Sequence, residues 1–144
     1  MAFQWLQMRV SEEKDRRQRE SSALERLPMA LQELHTHLLS CVEEYTEAFG
    51  PEAAEIVLTP SRIKVSSREE RDGRWHPAAK VEVIAVTEIP GFRIERGEYS
   101  LAVEVGVLPS KRLFYRDREQ DKYLTMEEFT RRILDRVLFP KLRD

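Results

Sequence analysis

The sequence predicts an α+β fold, in which a long N-terminal helix and a C-terminal helix pack on an antiparallel sheet of three to four strands. Two observations carry this prediction. Between Leu24 and Tyr45 apolar residues recur at alternating spacings of three and four, which is typical of one face of a helix. From Glu55 onward the apolar period changes to two, as in strands, and a helical period returns after Thr125.

The long helix is predicted from a single apolar stripe, which consists of Leu24, Leu27, Leu31, Leu34, Leu38, Cys41 and Tyr45. Gly50 and Pro51 follow and end the helix. Pro28 removes a helical hydrogen-bond donor and suits a first helical position. We therefore expect the main helix to begin at Pro28, or the long helix to consist of two segments broken near Pro28. Leu34 should be buried at the centre of the contact between this helix and the sheet.

Residues 1–22 differ in composition from the rest of the chain. The first ten residues carry an apolar tip, and residues 11–22 contain no apolar residue at all. Opposite charges recur four residues apart in this charged part, as in Glu12–Arg16 and Glu13–Arg17, which supports a solvated helix. We expect residues 1–22 to form a charged, apolar-tipped helical extension that projects or is partly disordered, and residues 23–144 to form one α+β domain.

The strands are predicted from apolar alternation between turn signals. Ile56 and Ile63 lie on opposite parities, so a bulge or bend at Pro60 is expected to restore one buried face. Asp72-Gly73 is a hairpin turn signal. Further strands are predicted near residues 79–89 and 99–107, and Leu113, Phe114 and Tyr115 are predicted to form another short strand towards Asp117. Between the turn signals at Pro90-Gly91 and Gly97, Phe92 and Ile94 alternate with charged residues.

The C-terminal helix has a start signal and a buried face. Thr125 and Glu128 form the capping-box pattern Thr-x-x-Glu, and Pro140 ends the helix. The buried face is predicted to comprise Phe129, Ile133, Leu134, Val137 and Leu138.

Composition narrows the class of protein without naming a function. A chain of 144 residues is most simply one domain, and a net charge of −2 gives no field that favours nucleic acid or membrane. Cys41 is the only cysteine, so neither an internal disulfide nor a cysteine-based zinc cluster can form. No signal peptide and no apolar run near the ~20 residues of a membrane span occur, and a cytoplasmic protein is expected.

Catalysis and metal binding have no positive support in the sequence. His35 and His37 point to opposite sides of a helix, and His37 with Cys41 provides only two of the three or four ligands that zinc requires. Cys41 lies in the leucine stripe, as expected of a small packed thiol. No phosphate-binding glycine loop or nucleophile elbow is present. We predict no catalytic residue, no metal and no cofactor.

Nucleic-acid and membrane binding have only weak cues. Residues 14–19 are basic at their centre, and Arg112, Arg116 and Arg118 surround Phe114 and Tyr115 as on stacking surfaces. Acidic residues dilute both segments, which weakens phosphate binding. The apolar tip could insert at a membrane surface, but the acidic residues that follow it argue against this.

The first functional hypothesis is a non-catalytic interaction or oligomerisation module. The apolar tip is separated from the domain by a charged stretch and therefore needs a partner. Aromatic side chains are the usual anchors of an interface. The predicted contact residues, for a protein partner or for a homodimer, are Phe3, Trp5, Leu6 and Val10.

The alternative hypothesis is a small-molecule-binding module. A long helix across a curved antiparallel sheet can leave a pocket lined by apolar and aromatic side chains. The residues predicted to line such a pocket, between the helix and the sheet, are Tyr45, Phe49, Trp75, Tyr99 and Phe114.

Overall fold

The fold was analysed in a computed structural model that describes residues 3–143. Two helices frame a seven-stranded antiparallel sheet, so the α+β class is confirmed and the expected count of three to four strands is wrong. In chain order the elements are α1 (Gln4–Phe49), β1 (Ala54–Leu58), β2 (Arg62–Arg71), β3 (Arg74–Val86), β4 (Gly91–Arg96), β5 (Tyr99–Val107), β6 (Leu113–Asp117), β7 (Lys122–Leu124) and α2 (Met126–Leu138).

The sheet is a simple meander, because every strand pairs with the next strand along the chain. The strand count is higher than expected because the residues that signal turns, such as Pro60 and Asp72-Gly73, each end one strand and begin another. Pro60 lies in the turn between β1 and β2, where a bulge or bend that restores one buried face was predicted. Ile56 pairs with Val65 across that hairpin, which brings their side chains to the same face despite opposite parities. The register shift lies instead between Ser67 and Arg68.

Both helices cover the same face of the sheet and form one core with it. Helix α1 contacts β1, β2 and β5, and helix α2 contacts β2, β3 and β7. Leu34 is fully buried in this core, as predicted, and Leu31 and Leu38 are buried beside it. The largest fully buried side chains on the sheet are Ile63, Val65, Val81, Val83, Phe92, Ile94, Val103 and Val105.

Helix α1 is continuous through Pro28, so the predicted start or break at that residue is wrong. Its 46 residues give a length of about 69 Å at 1.5 Å per residue. Pro28 is exposed, whereas Leu27 and Ala30 on either side of it are buried. The missing hydrogen bond therefore falls on the solvent side, where water can reach the Leu24 carbonyl, and the buried neighbours hold the helix on both sides.

Helix α2 begins as predicted and is anchored at two points. The Thr125–Glu128 capping box is present, and all five residues predicted for the buried face are buried. Ser67 on β2 donates a buried hydrogen bond of 2.6 Å to the Val137 carbonyl oxygen, one of the final-turn acceptors that the helix leaves unpaired.

The second anchor is an ion pair between the buried Asp117 at the end of β6 and Arg132 of α2. Burial alone would raise the pKa of Asp117. Hydrogen bonds from the Gln120 backbone, from Arg132 and from the Glu119 backbone outweigh burial and lower that pKa. Together with Ser67, this pair fixes where α2 lies relative to α1 and so positions the groove described below.

Candidate functional site

The most unusual surface of the molecule is the helical tip, which we define as residues 3–10. Five large apolar side chains are exposed there, with Phe3 at 71%, Trp5 at 64% and Met8 at 58% exposure. Leu6 and Val10 are exposed at 42% and 44%. Single exposed apolar residues are ordinary, but five within eight residues form a patch of the kind that marks interaction sites.

The apolar side chains of the helical tip do not share one face. At 100° per residue, Leu6 and Val10 lie on one side of the helix, and Trp5 and Met8 lie on the opposite side, whereas Phe3 is the extended N-cap residue before the helix. A single neighbouring helix would cover only one of these sides. Burying the whole tip requires a partner surface that contacts it on two sides.

The rest of the N-terminal arm, defined as residues 4–22, is a solvated helix held by ion pairs within itself. Arg16 contacts Glu13 and Glu20, each at 2.6 Å between nitrogen and oxygen, and Arg17 contacts Glu13 at 3.2 Å. Hydrogen bonds, the larger contribution from Arg16 and the smaller from Arg17, lower the pKa of Glu13 to about 2. Ala23 is the first buried residue of α1, and residues 16–20 still pass beside the sheet, so the arm leaves the domain on the N-terminal side of Arg16.

A groove of about 550 Å³ lies at the other end of α1, between α1 and α2, and we call it the α1–α2 groove. Its walls are aromatic. The Tyr45 ring lies 4.9 Å from Phe49 on α1 and 5.5 Å from Phe139, the residue after α2, between ring centroids. Its charged lining residues are Glu44, Glu127, Asp135 and Arg131. The groove is therefore apolar inside, with more acidic than basic groups around it.

The structure does not bring the five predicted pocket residues together. Tyr45 and Phe49 line the α1–α2 groove, and Trp75 lies next to Gly50, where a Cβ would be 3.6 Å from the Trp75 ring. Tyr99 lies under the Arg96 guanidinium, 4.7 Å from its ring centroid. Phe114 packs on Tyr123 and against Gly106. The concavity near Tyr45 thus lies between two helices instead of between α1 and the sheet.

Sequence reasoning missed the residues that α2 contributes to the groove. Leu134, Leu138 and Phe139 line it from that side. The helical spacing assigns Leu134 and Leu138 only to a buried face, and it does not include Phe139. The sequence signal for Phe139 is its position immediately before Pro140. Because the proline ends the helix, Phe139 lies just beyond the helical face.

Cys41 lines the α1–α2 groove and is partly exposed. Burial, with a smaller contribution from Glu44, raises the pKa of the Cys41 thiol. A raised pKa keeps the sulfur protonated near neutral pH, opposite to what a nucleophile needs. Among residues 3–143 no group of three or more metal-ligating side chains comes together.

The two weak nucleic-acid cues meet in one cleft of about 350 Å³ near Pro90, where the arm passes the sheet. Arg16 and Arg19 line it from the arm, and Arg116 and Arg118 line it from the end of β6. Two carboxylates lie in the same cleft, and they pair as Arg16–Glu20 and Arg116–Glu104. Because half of the positive charge is neutralised in this way, the cleft gives little support for phosphate binding.

Comparison of the chain with protein-family models, with curated proteins and with solved structures finds no match. No helix within residues 3–143 is both long enough and apolar enough to cross a membrane.

Proposed function

We propose that the protein is a non-catalytic interaction module that associates through its N-terminal helical tip. The observation that carries this proposal is the helical tip itself, a helix continuous with the domain whose five apolar side chains are all exposed. Phe3 and Trp5 are the side-chain types that anchor interfaces, since each buries a large area with few rotatable bonds. Leu6 and Val10, on the side of the helix opposite Trp5, extend the exposed apolar area towards the charged arm.

A sedimentation or light-scattering measurement of mass tests the proposal. We expect the wild-type mass to exceed the 17.0 kDa of a single chain at micromolar concentrations. In a Leu6→Gln/Val10→Gln variant the mass should fall towards that of the single chain, because glutamine keeps the helix and removes the apolar contact. The matched control is Val57→Gln/Leu108→Gln, whose residues are exposed at 44% and 41% and lie on the sheet side of the molecule.

The control variant should keep the wild-type mass. The proposal in its self-associating form is contradicted if the wild type has the mass of a single chain at all concentrations up to about 100 μM, a range that would detect even weak pairing.

A second candidate function is small-molecule binding in the α1–α2 groove. Its volume of about 550 Å³ falls within the usual range for ligand sites, and aromatic side chains line it. An apolar fluorescent probe such as anilinonaphthalene sulfonate should then bind to the wild type. Ala48→Trp, which fills the groove from an exposed position, should abolish the signal, whereas Ala102→Trp on the outer sheet face should not.

A further inference from the structure

We infer that the helical tip of one copy of this chain binds in the α1–α2 groove of a second copy, and that the two copies do so reciprocally. This inference rests on the proposed function, because it names the partner and the receiving surface for the helical tip. Three observations support it: the reach of α1, the two-sided shape of the tip, and the charges at its two ends.

The first observation is the distance along α1 between the helical tip and the α1–α2 groove of the same chain. Trp5 and Tyr45 are both part of the continuous helix α1, 40 residues apart, which corresponds to about 60 Å. A helix cannot fold back on itself, so the tip cannot occupy the groove of its own chain. A second copy lying antiparallel to the first brings Trp5 of each copy beside Tyr45 of the other.

The second observation is the match in shape. The tip carries apolar side chains on two opposite sides, as described above, and one flat surface would leave half of them in water. The α1–α2 groove offers two walls, one with Tyr45 and Phe49 and the other with Leu138 and Phe139. The two walls meet at the Tyr45–Phe139 contact, where the ring centroids are 5.5 Å apart, so a helix end would lie across that contact with one apolar side against α1 and the other against α2.

The third observation is charge. Residues 3–11 contain one charged group, Arg9, and no carboxylate, whereas residues 28–49 contain four glutamates and no lysine or arginine. Glu127 and Asp135 add negative charge to the groove from α2, against the single Arg131. In the register that places Trp5 beside Tyr45, the Arg9 of a second copy, which pairs with Glu12 of its own chain at 2.9 Å, lies opposite Cys41 and about one turn from Glu44.

The same sequence disfavours the simplest competing arrangement, a parallel coiled coil of two arms. Glu13 and Arg17 continue the three-four spacing that begins at Leu6 and Val10. In a parallel pair each of these residues would face its own copy, Glu13 against Glu13 and Arg17 against Arg17, which places like charges at core positions. The reciprocal antiparallel contact avoids this and closes at two copies.

Cysteine crosslinking of the full-length chain tests the inference, since Cys41 lines the groove and is the only native cysteine. Met8 is exposed at 58% in the helical tip, so Met8→Cys adds a second thiol without disturbing the core. The two thiols lie about 50 Å apart along one helix, so a disulfide between them must join two chains.

We expect oxidation of Met8→Cys at mildly alkaline pH, where the exposed thiol at residue 8 ionises, to give covalent dimers whose peptides join residue 8 to residue 41. Pairing raises the local thiol concentration to about millimolar, so dimers should form at least ~10-fold faster than in the matched control Val57→Cys. Val57 is also an exposed apolar residue, but it lies on β1.

Two further variants separate failure of this inference from failure of the proposed function. Met8→Cys/Cys41→Ser should lose the covalent dimer. Persistence of a dimer joined through residue 8 of both chains would show that the two helical tips contact each other, which overturns the inference and leaves the proposed function standing.

Ala48→Lys, at an exposed groove position, should weaken association at least ~10-fold by placing charge and bulk in an apolar contact. Unchanged association would overturn the inference, and a monomeric wild type would overturn both.

Discussion

The two parts of helix α1, residues 4–22 and residues 23–49, are alike in period and differ in what stabilises them. Residues 23–49 bury one stripe, of which Leu34 and Leu38 are fully buried against the sheet. In the arm, apolar side chains are exposed, and ion pairs that join Glu13 and Glu20 to arginines stabilise the helix. The buried part is held by tertiary packing and the arm by local interactions.

This difference shows how a helix can extend beyond its domain. Forming the first turn of a helix is the unfavourable step, and most helical stability in proteins comes from tertiary packing. The buried part provides the formed turns from which the arm continues, so each added residue costs little. Ion pairs and good helix formers then suffice, and the apolar tip is carried away from the domain at the end of a stiff support.

The largest expected effect is a loss of stability on substitution in residues 23–49 that the matching substitution in residues 4–22 does not cause. Leu34→Ala should lower the free energy of unfolding by about 2–5 kcal/mol, since it leaves a cavity where the side chain is fully buried. Leu6→Ala, at 42% exposure, should change the stability of the single chain by less than about 0.5 kcal/mol. Denaturant unfolding at low protein concentration measures both. A loss below about 1 kcal/mol for Leu34→Ala would mean that the stripe is not the main contact with the sheet.

A smaller effect is expected at Pro28, close to where the two parts join. Pro28→Ala should raise the free energy of unfolding by about 1–3 kcal/mol, because alanine restores a helical hydrogen bond and the exposed ring gives up no packing. The gain is reduced by the added freedom of the unfolded chain. Met29→Ala is the control, at 62% exposure, and should lie within about 0.5 kcal/mol of wild type. A clear loss of stability in Pro28→Ala would show that the proline ring makes contacts that the fold requires.

The elements predicted best from sequence were those with a strong local signal. The leucine stripe and the Thr125–Glu128 capping box each lie within one helix, where spacing alone fixes the face. The strand count was wrong because short strands carry little periodicity. Strand β7, Lys122–Leu124, is only three residues long, and the change of parity at Pro60 fits a hairpin as well as a bulge.

The candidate site was harder to predict, because it depends on contacts between distant parts of the chain. Helix spacing placed Tyr45 and Phe49 near one another, and both line the α1–α2 groove. The other wall depends on where α2 lies. The Ser67–Val137 hydrogen bond joins residues 70 positions apart, and no sequence pattern announces it. The exposure of the helical tip was easier to anticipate, since a charged stretch without apolar residues separates it from the core.

The smallest expected effect is on the stability of the arm helix, and the pKa of the Glu13 carboxylate reports on the ion pairs that stabilise it. Hydrogen bonds from Arg16 and Arg17 lower the pKa of Glu13 to about 2, from an ordinary value of 4.5. A carboxylate whose pKa is lowered in the folded state stabilises that state above its ordinary pKa, and the contribution is lost as the pH falls towards 2. The arm should therefore lose helicity on acidification over this range before the amides around Leu34 lose protection.

Carbon-13 NMR of the Glu13 carboxyl group follows this titration residue by residue. In Arg16→Gln/Arg17→Gln the pKa of Glu13 should move back towards 4.5, because glutamine keeps the helix propensity and removes both cations. If Glu13 already titrates near 4.5 in the wild type, the arm does not depend on these pairs. Helix propensity and the buried part of α1, or contact with a second chain, would then have to stabilise the arm.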